Sequence, residues 1–307
     1  MSVIDLSVLP APDVIEQLNY ETLLSSFLAD FLSLLPPEMR PAAEATLTLE
    51  SEPITKLAEA IAYRDLLIRQ RMNEDAKALM LAYSTGGDLD HIGVTYFGGT
   101  ARMTLAEEDL STVPPTPKLM ESDADYRRRL TLQPFSLSVA GPEKSYVFHA
   151  LGAHENVADA TAVSPSPSVV TVTVLGRNAG NVPDAETLSA VEAALDDKTV
   201  RPLGDRVSVQ AVTIVQYQIT AEVIVPLGPD ASAIGTTIAA NVAAYKDAPR
   251  RIGRDVARSA IYAALHVAGV ERVNLTQPAA DVALDHSQAS QCTAVNITVN
   301  GVPLVIA

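Results

Sequence analysis

The stretch "PITKLAEAIAYRDLLIRQRMNEDAKALMLAYSTGG" (Pro53–Gly87) decides how the first third of the chain is read. A proline opens it and a glycine pair closes it, the start-and-stop asymmetry of a helix. Between them Ile54, Leu57, Ile61, Ile68, Met72 and Leu79 recur at intervals of three, four or seven, which lines them up as one apolar stripe. Asp65 stands four residues before Arg69, a favourable helix pair. A helix near 53–84, of roughly 30 residues, would be about 45 Å long. That exceeds the needs of one small core. Ile54, Ile61 and Ile68 repeat every seven residues, a period suited to packing along an extended seam with another helix. The six stripe residues are therefore candidates for a subunit interface.

Upstream, Val14, Leu18, Leu24, Phe27, Leu28, Phe31 and Leu35 keep helical spacing until Pro36-Pro37 stops it. In "EATLTLES" (Glu44–Ser51) Leu47 and Leu49 alternate with threonines, so a short strand is expected there. Downstream, "LSTVPPTPK" (Leu110–Lys118) carries three prolines in nine residues and reads as a linker. Beyond it helical and β-branched stretches alternate. "SYVFHALGAHENVADATAV…VVTVTVLG" and "SAIYAALHVAGVERVNLTQ…AVNITVNG" share one order of helix, glycine stop, strand, polar turn and strand, a weak internal duplication. The expected fold class is α+β. A helical region (1–110) and a proline-rich linker (111–120) would precede two small α/β units, 121–213 and 214–307, with mixed or antiparallel sheets.

Composition sets the function classes. The chain has 307 residues, 48% hydrophobic and 19% charged, a formal net charge of −15 and a mean hydropathy of +0.16. It is globular, and its apolar excess points to surface shared with partner subunits. Residues 1–120 hold 18 acidic and 8 basic side chains, a net of −10. A nucleic-acid partner is not expected, because this field repels phosphate. Nor is a membrane partner: "LLSSFLADFLSLL" (Leu23–Leu35) contains Asp30 and falls short of the ~20 apolar residues a span requires. "MSVIDLSVLP" (Met1–Pro10) has no basic region of a signal peptide. Cys292 stands alone, which excludes intrachain disulfides and thiolate zinc clusters.

Catalytic and metal readings are thin. In "GGDLDHIG" Asp88, Asp90 and His91 resemble hard-metal ligands, so a cytoplasmic metal-dependent enzyme is the alternative function. The competing reading has Asp88 capping a short helix with Leu89 and Ile92 facing the core. The other histidines show no paired-ligand spacing. His149 and His266 fall in apolar helices and read as packed or partner-facing. No phosphate loop or nucleophile elbow is present, and no cofactor is expected. In "ESDADYRRRL" (Glu121–Leu130) Arg127, Arg128 and Arg129 would spread over about 200° of helical arc, too broad for one phosphate-gripping stripe. With Glu121, Asp123 and Asp125 beside them, ion pairs within the chain or to a neighbouring subunit are the expected use. The cluster Arg250–Arg258 receives no role.

The block Glu50–Gly93, with "AYRDLLIRQRMNEDA" closed by "GGDLD", resembles the baseplate assembly protein J family of contractile-tailed phages and R-type bacteriocins. Arg102, "ESDADYRRRL", Gly141, Tyr146, "VTVTVLG", Arg201-Pro202 and "VSV" extend the resemblance over most of the chain. It implies a non-enzymatic role in a baseplate wedge. Two copies would embrace a companion wedge protein through helices, neighbouring wedges would close a ring around the central hub, and the ring would couple to sheath contraction. The implied partners are a second copy, the companion wedge protein, neighbouring wedges, and sheath and hub proteins. The implied location is an assembled phage tail or bacteriocin particle, with synthesis in the bacterial host cytoplasm.

Overall fold

The computed structural model describes residues 12–178, 180–226, 231–248 and 250–304. The Met1–Pro10 stretch read for targeting signals lies outside them. The chain is α+β and divides into two compact units. One takes the residues up to Ala101 together with Asp123–Arg127; the other takes Arg102–Ser122 together with the residues from Arg128 onward.

The first unit is helical. α1 (Tyr20–Leu34) starts at Asn19, whose side chain accepts from the Thr22 amide, and stops at the Pro36-Pro37 pair. α2 (Arg40–Leu47) occupies the place where a strand was expected, with Pro41 in its first turn. Two alternating leucines fit a helix as well as a strand, and the proline supplies a helix start. α3 (Pro53–Ala78) has 26 residues, about 39 Å at 1.5 Å per residue. It stops before Leu79, short of the expected 84. α4 (Gly86–Tyr96) follows, and its N-cap is Thr85, not Asp88. The first amide, Gly86 N–H, instead points at the Asp123 carboxylate. Asp123 begins α5 (Asp123–Ser136), the helix divided between the two units. Leu89, Ile92 and Tyr126 are buried in this unit, as are Ala58 and Ala62 on α3.

The second unit begins with a hairpin, β1 (Thr104–Ala106) on β2 (Leu119–Met120), extended by an Asp109–Thr116 bridge. Leu110–Lys118, expected as a linker, forms the far end of this hairpin, and every residue from 106 to 120 is exposed. α6 (Glu143–Ala153) then leads to β3 (Val157–Ser166) and β4 (Val169–Gly176), paired antiparallel. α7 (Ala185–Leu195), capped by Asp184, crosses over to β5 (Arg206–Ala211), parallel to β4. β6 (Thr213–Ile224), α8 (Ala231–Asp247), α9 (Arg258–Leu265), β7 (Arg272–Gln277), β8 (Gln288–Val299) and β9 (Val302–Pro303) complete the chain.

The second sheet runs β7-β6-β8-β9, with β6 antiparallel to β7 and parallel to β8. Here the apparent duplication ends. β3 pairs directly with β4, whereas β6 lies between the corresponding strands β7 and β8. Ile219, Val223, Ile238, Ile261, Leu265 and Ile297 build its core. One residue separates the sheets along the chain: Val212 N–H bonds Val174 O on the first, and Thr213 N–H bonds Ser287 O beside the second. Leu175, Val212, Ile252 and Ala289 fill the junction.

Candidate functional site

α3 has its size pattern reversed. The residues it buries are small, Thr55, Ala58 and Ala62, while the six stripe residues are exposed, from 38% at Ile61 to 81% at Leu79. Leu79 follows the last helical turn. Tyr63 and Leu67 widen the exposed apolar surface. The segment just before α1 meets α3 through polar groups: Arg69, paired with Asp65 one turn back on α3, also bonds Glu16, and Asn73 bonds the Glu16 backbone. Such exposed pairs contribute little.

The three arginines go to three separate places, and none joins the stripe. Arg127 donates to the Leu81 and Ser84 carbonyls at 2.7 and 2.6 Å, tying down the turn between α3 and α4. Arg128 donates at 2.6 Å to Asp159 on β3. That carboxylate, 2% exposed, also accepts from Ile252 N–H at 3.0 Å, so one ion pair draws α5, β3 and the 250s loop together. Arg129 makes a two-pronged pair with Glu121, at 3.1 Å from Nε and 2.6 Å from Nη2. Both partners are nearly fully buried, and Glu121 accepts from the Met103 amide as well. Burial at Arg129 escapes a sequence reading, because nothing in "RRR" distinguishes its third member.

Gly141, Tyr146 and Arg201-Pro202 converge. The Tyr146 hydroxyl donates to Asp205 at 2.6 Å; burial, then this bond, push its pKa well above the usual tyrosine range. Arg201 donates to the Asp205 carbonyl. Gly141 sits at φ +75°, and a Cβ there would lie 2.9 Å from Asp205 and Pro202. The node secures the entry to α6.

The metal reading gains no geometry. Asp88 and His91 are exposed and Asp90 is half-buried. Among the described residues no three His, Cys, Asp or Glu side chains are placed to hold an ion. Among the described residues no helix is long and apolar enough to cross a membrane. Cys292 is half-buried on β8, its thiol pKa raised by burial.

His149, on α6, is half-buried, and its Nε2 has no hydrogen-bond partner among the described residues. Burial lowers its pKa from 6.5, opposed by the Asp197 charge. The unfolded chain therefore takes up the proton at higher pH than the native one. Stability present above about pH 6.5 is lost as pH falls through the lowered native value. His149→Gln is expected to flatten this decline, read as melting temperature between about pH 7 and 5. Equal slopes for the two proteins would remove His149 from the acid response.

Models of the Baseplate J-like N-terminal domain, central domain and C-terminal domain match residues 50–109, 138–211 and 217–298 in turn. The chain is also similar to Baseplate protein J of Escherichia phage P2, at 47% identity over 301 residues, covering 98% of this chain and 99% of that protein.

Proposed function

Since the chain belongs to the baseplate J-like family, we propose that it acts in the wedge of a contractile-tail baseplate, pairing with a second copy and a companion wedge protein along α3. The family is a structural phage component and not an enzyme, and a baseplate role places the chain in the assembled tail. In our reading, wedges formed this way close a ring around a central hub and transmit the rearrangement that triggers sheath contraction. The chain is made in the host cytoplasm and enters the particle from there.

The reversed pattern of α3 carries this reading. Covering an aliphatic side chain contributes roughly 1.5–3 kcal/mol, so six of them supply on the order of 10 kcal/mol before losses. Association costs about 4–15 kcal/mol. The stripe therefore binds only with the exposed residues that flank it. Ile61→Asp and Ile68→Asp, made singly, test the seam by co-expression with the companion wedge protein. Because both positions are exposed in the lone chain, we expect unchanged circular dichroism and lost co-purification. If every substitution that abolishes co-purification also unfolds the chain, α3 is core and the proposal fails.

A further inference from the structure

The basic cluster after α8 surrounds a cavity of about 260 Å³ in the second unit, with Lys246, Arg250, Arg251 and Arg254 among its walls. Among the described residues of its lining the only acid is Asp255, and one oxygen of that carboxylate is already engaged by the Leu284 amide at 2.7 Å. Arg251 donates to the Ala158 carbonyl. Arg250 and Arg254 have no carboxylate within ion-pair distance among the described residues. Arg254 is exposed and Arg250 half-buried.

The remaining walls are neutral. The Tyr217 hydroxyl bonds the Tyr245 hydroxyl and the Cys292 thiol, and burial keeps all three protonated. The charges bear on this cluster: Lys246 and Arg250 act on Cys292, and Arg254 acts on Tyr245. Ala257 and Ala260 add apolar surface. The cavity thus concentrates positive charge, with aromatic and aliphatic walls, in a chain whose net charge is −15.

Size and field select the ligand. The volume falls just below the ~300–1,000 Å³ of small-molecule pockets and fits a side chain or two. A nucleic-acid strand needs a basic groove with stacking platforms along it, and the overall negative charge opposes it. Free phosphate would leave the apolar wall unused. We propose that this cavity docks an acidic peptide segment of a partner protein, its carboxylates paired with Arg250 and Arg254 and an aliphatic stem against Ala257 and Ala260. The assignment does not depend on the α3 seam, since it concerns the purified chain alone.

The test is fluorescence anisotropy of the full chain with a short fluorescein-labelled polyglutamate peptide. Saturable binding that weakens with salt is expected, reduced at least about tenfold in Arg250→Ala/Arg254→Ala, which removes two charge-assisted pairs. Ala260→Glu, a change at an exposed position that adds a carboxylate to the wall, is expected to weaken binding while leaving the fold intact. Absent binding, or binding that both variants retain, overturns the proposal. Inorganic phosphate displacing the peptide at equal concentration would make this a small-anion site. A single-stranded oligonucleotide bound as tightly, and lost in the same variants, would make it a nucleic-acid site. Light scattering separates the remaining source: self-association of the wild type that Arg250→Ala/Arg254→Ala abolishes would assign the occupant to a second copy. Each of these three outcomes overturns the partner-peptide assignment.

Discussion

Arg129→Met is expected to destabilise the second unit by about 3–5 kcal/mol, because it leaves the Glu121 carboxylate buried without its guanidinium. The pair is 6% and 4% exposed, so water cannot stand in for the missing partner. Glu121 would keep only the Met103 amide among its described bonds. For a unit of this size that loss corresponds to a fall in melting temperature of roughly 10 °C. The double variant Arg129→Met/Glu121→Leu is expected to recover most of it, since a desolvated pair replaced by apolar side chains is often near neutral. Urea unfolding followed by circular dichroism measures both. A loss below about 1 kcal/mol for the single change, the range of exposed pairs, would mean that the pair is hydrated.

Two glycines in α4 should respond to alanine with opposite signs. By helix propensity alone, each Gly→Ala change would gain up to about 1 kcal/mol. At Gly87 a new Cβ meets nothing within 4 Å, so that gain is expected in full. At Gly93 the Cβ would lie 1.9 Å from the Tyr126 hydroxyl oxygen, 2.7 Å from Cζ and 3.0 Å from the Thr100 carbonyl. Tyr126 is fully buried, and its hydroxyl donates to that carbonyl at 2.6 Å. The ring can yield only by giving up the bond. Overpacking of about 1–3 kcal/mol and an orphaned buried acceptor of about 1–3 kcal/mol together make Gly93→Ala cost about 4 kcal/mol. Tyr126→Phe should rescue it only in part, since Cζ stays. Thermal melts of Gly87→Ala and Gly93→Ala that shift in the same direction would sink this account.

Local order was readable in the sequence and non-local order was not. Pro53 and the apolar spacing marked α3, and the α+β class followed from the alternation of helical and β-branched stretches. α2 was misread because two leucines cannot distinguish a period of 2 from one of 3.6. The position of β6 was hidden, because pairing across distant segments leaves no local trace. Asp123 capping α4 and Asp159 holding Arg128 join residues 31 or more apart, so neither pairing leaves a local trace in the sequence. On α3 the apolar stripe and its use as a seam were read from the spacing, but not that the small residues Thr55, Ala58 and Ala62 take the buried face. The basic cavity was missed because Tyr217 and Cys292 meet the 246–254 segment only after folding.

The position of β6 also sets an order of events during synthesis. Its neighbours, β7 and β8, lie far downstream: Thr213 pairs with Gln288, and Thr220 with Gln277. The first sheet can close once β5 has emerged from the ribosome. β6 leaves immediately afterwards with both edges open, and must wait for some 75 residues (213 to 288) before its parallel partner exists. Contacts of such separation form slowly, and an open apolar strand is prone to mispairing meanwhile. A chain cut short before β7 would thus carry a finished sheet followed by an unpaired strand, a product for quality control and not a smaller working subunit.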